Sequence, residues 1–116
     1  KNSNYGIAAN FITNRTDFKH YILNKTNVIV KVSATWCGPC KRATPYFNQG
    51  FLNLSNKVNL VLIDADEGDD VCSALKIKSV PMYFYYKNGE CLEICNTAQE
   101  KDIEYFFKQV KIHLKK

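Results

Sequence analysis

Two cysteines stand two residues apart, Cys37 and Cys40, with Gly38 and Pro39 between them and Trp36 in front. A CxxC pair that ends an apolar run and opens a helical pattern is suited to thiol–disulfide chemistry. At a helix start, Cys37 meets backbone N–H groups without intrahelical partners and the positive end of the helix dipole. Both favour a thiolate near neutral pH. Cys40 lies one turn further in, close enough to close a disulfide on Cys37. Gly38 lets the turn form without a Cβ clash, and Pro39 fixes φ where a missing N–H costs little. The competing chemistry is half of a zinc site, with ligands added from Cys72, Cys91, Cys95, His20 or His113. No second CxxC and no HxxxH accompanies the pair. A redox pair is therefore preferred, and no metal is assigned.

The elements that must hold this pair are readable as apolar patterns. Asn27 to Ser33 (NVIVKVS) is a β-branched run, a central strand that delivers the chain to Trp36-Cys37. A helix follows from the CxxC toward Asn53, with Pro45 inside it as a kink and Phe47, Phe51, Leu52 and Leu54 as its apolar face. Before the central strand, Phe11-Ile12 reads as a short first strand. Asn14 or Thr16 caps a helix whose apolar positions are Phe18, Tyr21 and Ile22. After the redox helix, Val58 to Ile63 is a buried strand, and Val71, Ala74 and Leu75 mark a short helix. Asn88-Gly89 predicts a hairpin that pairs Met82–Tyr86 with Cys91–Cys95 antiparallel. Thr97 and Glu100 form a capping box for a last helix with the stripe Ile103, Phe106, Phe107, Val110 and Leu114. The order βαβαβαββα gives one mixed sheet with helices on both faces. In such sheets function gathers at the carboxyl ends of parallel strands, where Cys37 falls.

Bulk composition narrows the class. A chain of 116 residues is one domain, and 46% hydrophobic with 13% aromatic residues excludes disorder. Residues 1–10 read as a polar lead-in and 11–116 as the domain. No apolar run approaches the ~20 residues of a membrane span. The net charge of +5 is spread along the chain, weakly favouring acidic partner surfaces, and no basic–aromatic module calls for nucleic acid. Five cysteines, an odd number, argue against a fully paired secreted framework. The three formal sequons at Asn14, Asn24 and Asn53 are read as accidents of an Asn-rich chain.

The stretch Ser33-Ala34-Thr35-Trp36-Cys37-Gly38-Pro39-Cys40-Lys41 resembles the active-site segment of eukaryotic-type thioredoxins almost letter for letter. Pro45 matches that family's kink proline, Val80-Pro81 its bulky residue and cis-proline, and Lys87-Asn88-Gly89 its hairpin. The resemblance implies the thioredoxin fold: α/β, with a central mixed β-sheet of four to five strands flanked by about four helices. It also implies a protein-disulfide reductase. Cys37, nearer the surface, attacks a substrate disulfide as thiolate, and Cys40 resolves the mixed disulfide. The backbone of Val80 pairs with the substrate strand. Pro81 is cis, packs on the cysteines and excludes metal ligation. Trp36 shields the site and shapes the docking surface. No cofactor is implied beyond the redox-active disulfide Cys37–Cys40. The implied partners are protein disulfides and a thioredoxin reductase, met as a monomer. Cytosol is the family default, although a chain starting at Lys1 leaves a cleaved signal or transit peptide open.

The chain also departs from the family. Lys31 stands six residues before the first cysteine, where thioredoxins keep a buried Asp that relays the resolving cysteine's proton. A charged lysine there favours the thiolate and makes the protein more oxidising. A neutral one could itself act as base. The plainest expectation is that its stem packs in the strand while its head reaches water or Asp66 and Glu67. Met82 follows Pro81 where Thr is commoner, and Thr97 stands near a usual glycine, narrowing the substrate groove. Cys72, Cys91 and Cys95 are expected as buried hydrophobes. Cys91 and Cys95 should share a strand face, too far apart to pair. Two other readings stay open: an oxidase or isomerase of a secretory-type compartment, and a thioredoxin-fold binding subunit whose redox pair is incidental.

Overall fold

The computed structural model describes residues 9–54 and 56–116. Its centre is the β-branched run, strand β2 (Asn27–Ser33), in which every residue from Val28 to Val32 is buried. A strand covered on both sides must lie between helices, and the chain supplies them in the expected order. β1 (Asn10–Phe11) leads to α1 (Arg15–Leu23), β2 to α2 (Gly38–Leu52), and β3 (Asn59–Asp64) to α3 (Asp69–Ala74). The hairpin β4 (Met82–Lys87) and β5 (Glu90–Cys95) then gives way to α4 (Glu100–Leu114). The sheet order is β1-β3-β2-β4-β5, with β3 parallel to β1 and β2, and β4 antiparallel to β2 and β5. Five strands and four helices reproduce the expected architecture.

The alternation of β2 sorts the core into two layers. Val28, Val30 and Val32 face α1 and α3, meeting Phe18, Ile22 and Val71. Ile29 faces α2 and α4, meeting Phe47, Phe51, Ile103 and Phe107. Burying each such side chain contributes about 1.5–3 kcal/mol. Asn14 is the cap that starts α1, its side-chain oxygen accepting from Asp17 N–H at 2.8 Å. The hairpin forms as Asn88-Gly89 predicts, because both residues take positive φ, 52° and 84°, as a two-residue type I′ turn requires.

The lead-in drawn over residues 1–10 lies outside the described residues up to residue 8, while Ala9 is buried in the core and Asn10 pairs with Val61. Three local expectations change. Leu52 does not join the apolar face of α2: it is 48% exposed, while Ala43 takes a buried place beside Phe47 and Phe51. No capping box opens α4. The N-cap is Gln99, and the Thr97 hydroxyl donates to the Asp102 carboxylate at 2.7 Å while accepting from Gln99 N–H. Cys91 and Cys95 also fall on opposite faces. Leu92 is an extra residue between the pairs Tyr86–Cys91 and Tyr85–Glu93, and such a bulge inverts the alternation. Cys95 is accordingly buried and Cys91 exposed, with Cys72 intermediate.

Candidate active site

β2 ends at Ser33, whose carbonyl accepts from Ala65 N–H at 2.8 Å and so ties it to the end of β3. The chain then turns through Ala34, whose carbonyl accepts from Cys37 N–H at 3.2 Å. Cys37 is the N-cap of α2, in extended conformation with φ −90° and ψ 107°, and Pro39 sits in the first turn. The Cys37 sulfur does what a capping oxygen does elsewhere: it accepts Cys40 N–H at 3.1 Å. Cys37 and Cys40 are joined by a disulfide, with Cα atoms 5.3 Å apart. Both are 3% exposed, so accessibility does not set Cys37 nearer the surface as expected. The helix end distinguishes them instead, since only Cys37 Sγ receives a backbone N–H at the positive pole of α2. No acidic residue in the first turn opposes that pole.

The surroundings come from three separate segments. The Val80–Pro81 peptide is cis, Pro81 is buried, and Val80 O lies 3.7 Å from Cys37 Sγ. Ala34, Cys37 and Cys40 pack with Ala65 and Val80 as a small apolar cluster of their own. Trp36 is 66% exposed, and its indole N–H donates to Asp66 at 3.0 Å. Asp66 is presented by the turn after β3, where Asp64 Oδ2 accepts from the N–H groups of Asp66 and Glu67. That role of Asp66 had no signal in the sequence, because it depends on β3 ending beside β2. Gly38 is exposed at the lip of the pair, and Arg42, one turn on, places Nη1 3.6 Å from where a Gly38 Cβ would stand. The i, i+4 spacing of Gly38 and Arg42 could have shown this.

Lys31 is buried, 8% exposed, and its Nζ lies 5.4 Å from the centroid of the Phe47 ring. That puts a lysine inside the layer under α2, two turns beyond Cys40. Thr97 is half-buried, and its hydroxyl is engaged with the first turn of α4. The other thiols are a contrast to the pair. Burial pushes those of Cys72, Cys91 and Cys95 up, away from the thiolate.

Two concavities lie away from the disulfide. One of about 240 Å³ lies between α2 and α4, beside Gly50 and Phe107. A shallower apolar groove of about 640 Å³ runs along α1 to Leu75. The disulfide lies beside the exposed Trp36.

Comparison with known proteins agrees with this geometry. The family model described as Thioredoxin matches residues 9–109. The chain is 33% identical over 97 residues to Thioredoxin-1 of Schizosaccharomyces pombe, covering 84% of this chain and 93% of that protein. It is 34% identical over 83 residues to the thioredoxin of Gallus gallus, covering 72% and 78%. The solution structure of oxidised thioredoxin from Plasmodium falciparum superposes with a TM-score of 0.73 at 27% identity, covering 89% of this chain and 98% of that one. The crystal structure of thioredoxin from Trypanosoma brucei brucei superposes at 0.82 over the whole chain and 98% of its own, with 16% identity, a likeness of fold alone.

Proposed function

The chain belongs to the thioredoxin family and is a thiol–disulfide oxidoreductase that reduces protein disulfides, and we propose that Cys37 is its nucleophile and Cys40 its resolving thiol. The observation that carries the assignment is the Cys40 N–H aimed at Cys37 Sγ from the start of α2. In the reduced protein that donor and the helix pole favour the Cys37 thiolate over the Cys40 thiolate. Cys37 attacks one sulfur of the substrate disulfide, an S–S bond forms between protein and substrate, and the other substrate sulfur leaves as a thiolate that takes a proton. Cys40 then loses its proton and attacks Cys37 Sγ. The Cys37–Cys40 bond forms, and the second substrate thiol is released. Two electrons pass from the protein dithiol to the substrate disulfide.

Around that exchange, Val80 and Pro81 form the ledge on which the substrate backbone lies, with Val80 O beside the attacking sulfur. Trp36, held by Asp66, forms one wall and Thr97 the margin of the groove. Gly38 and Pro39 shape the turn between the two sulfurs. A thioredoxin reductase returns the pair to the dithiol, and the protein works as a monomer with no cofactor other than its own disulfide. An oxidase or isomerase reading and a scaffold reading are not favoured, since the family model and the relatives matched are thioredoxins and the Cys37–Cys40 disulfide is formed.

Trapping tests the assignment. Cys40→Ala, reduced and mixed with a disulfide-bonded protein, should accumulate a mixed disulfide through Cys37, and Cys37→Ala should accumulate none. The reverse pattern would exchange the two roles.

A further inference from the structure

We propose that Arg42 is a specificity-determining residue that selects disulfides flanked by acidic side chains. The proposal rests on the reductase reading above and names the substrate class of that same site.

Arg42 lies on the exposed side of α2, and its guanidinium folds back over Gly38, between the two reactive cysteines. From the 3.6 Å approach to the Gly38 Cβ position, Nη1 is within roughly 9 Å of Cys37 Cα. A substrate whose disulfide reaches Cys37 must pass its neighbouring side chains across this group. The guanidinium is also unspent. Arg15 holds Asp70 at 2.8 Å, but among the described residues Arg42 forms no ion pair.

A second cation stands on the segment that carries Val80. Lys78 is exposed and unpaired among the described residues, two positions before Val80, whose carbonyl lies 3.7 Å from Cys37 Sγ. Cations thus stand on α2 and on the segment that leads into Val80. Of the nearest carboxylates, Asp66 is taken by the Trp36 indole and Asp64 by two backbone N–H groups, while Glu67 is exposed beyond them. These carboxylates keep their charge on the β3 side, whereas on the α2 side Arg42 is exposed and the first turn holds no acidic residue, so the charge there is positive. Planar, always charged and able to bind both oxygens of a carboxylate, an arginine suits Asp or Glu within a residue or two of the target cysteine. Complementary charge acts mainly on encounter, so the selection should appear in the association rate and fade with salt.

The test uses the pre-reduced protein in single turnover against three cystine peptides that differ only in having Glu, Gln or Lys beside the disulfide. Each turnover converts the protein dithiol and the peptide disulfide to the protein disulfide and two peptide thiols. The wild type should reduce the Glu peptide about fivefold faster than the Gln peptide at low salt, and the Lys peptide more slowly than either. In Arg42→Gln the Glu-to-Gln ratio should fall toward one, and Arg42→Lys should restore part of it. High salt should shrink the wild-type ratio. Equal rates in the wild type, or a ratio unchanged in Arg42→Gln, would overturn the proposal. So would rates that fall in parallel for all three peptides together with a moved pH midpoint for Cys37 alkylation, because the arginine would then act on the thiolate and not on the substrate. A wild type that reduces none of the peptides would overturn the reductase reading itself, a failure distinct from loss of selectivity.

Discussion

The two faces of the sheet bury their helices by different means. Under α1 and α3 the layer is largely aliphatic, with Val30, Val32, Val61 and Ile63 among its buried residues and Phe18 meeting Tyr86 edge to face at 5.7 Å. Under α2 and α4 it is aromatic. Phe47 stacks on Tyr83 at 4.8 Å and on Phe51 at 6.0 Å, and tilts against Phe107 at 5.3 Å. Aliphatic packing is non-directional, whereas aromatic pairs prefer particular offsets and angles. The helix that carries the reactive cysteines thus rests on the face whose contacts fix orientation as well as depth. A reactive sulfur needs that fixity, because small displacements at a reacting atom are costly.

Matched truncations on the two faces are the strongest way to break this contrast. Phe47→Ala and Phe18→Ala should each cost about 3–5 kcal/mol in urea unfolding. Only Phe47→Ala should also move the pH midpoint of Cys37 alkylation, because it loosens the seat of α2. If Phe18→Ala moves it equally, the two faces do not differ in what they do for the site.

A smaller change probes the same aromatic layer from inside α2. Glycine within a helix is ordinarily improved by alanine, by about 0.8–1 kcal/mol. At Gly50 a Cβ would lie 2.6 Å from Cγ of Phe107, a ring only 4% exposed. Overpacking of this kind costs about 1–3 kcal/mol, so Gly50→Ala should be a net destabilisation of about 1 kcal/mol. Gly50→Ala paired with Phe107→Leu should recover the helix gain if the clash is the cause. A stabilised single variant would show that the α2–α4 seam yields more readily than its aromatic contacts suggest.

Lys31 is the one polar or charged residue buried among the described residues, and it lies on the aromatic face. Phe47, over whose ring its Nζ sits, is two helical turns from Cys40, which puts the amine on the order of 10 Å from the resolving sulfur. A cation at that distance is worth about 1–2 kcal/mol to a thiolate at an effective dielectric near 20. Positive charge stabilises the reduced, thiolate-bearing form, so Lys31→Met should lower the reduction potential by about 30 mV. Equilibration of wild type and variant against a glutathione buffer measures this. A potential that stays or rises would show that the amine lends the pair no charge.

Much of this arrangement is legible in the chain itself. The alternation of Val28, Val30 and Val32 against Ile29 dictates a doubly covered strand, and Asn88-Gly89 dictates the hairpin, because each pattern is local. The cysteine pair is equally local, since its geometry is that of one helix start. What the chain hid was non-local. Asp66 meets Trp36 only because β3 lies beside β2, and Gly50 matters only because α4 brings Phe107 over it. A local rule also lost where the helix begins later than the pattern predicts. Thr97 and Glu100 have capping-box spacing, but the Thr97 hydroxyl goes to Asp102 and the helix starts from Gln99. At Leu92 a single inserted residue reversed the side of Cys91, and no pattern of apolar residues in ECLEIC announces that insertion.

The smallest expected effect lies on the aliphatic face, where α1 and α3 are tied at the surface. Asp70 accepts from Arg15 N–H at 2.7 Å and from Arg15 Nε at 2.8 Å. The backbone bond first, then the side-chain bond and the guanidinium charge, hold its carboxyl below the usual aspartate range. A depressed carboxyl contributes stability above its unfolded pKa and loses it as pH falls through the folded value. The wild type should therefore show a shallow loss of urea midpoint on the acid side of pH 4, where unfolded aspartate begins to bind protons. Asp70→Asn should remove that part of the slope. Arg15→Met should remove only some of it, because the residue 15 N–H still reaches the carboxylate. Both partners are exposed, so the change should be small and should shrink further in high salt. Neither variant should alter Cys37 alkylation, since the strap crosses the face that does not seat α2. A shift there would mean that the aliphatic layer also transmits position to the redox helix.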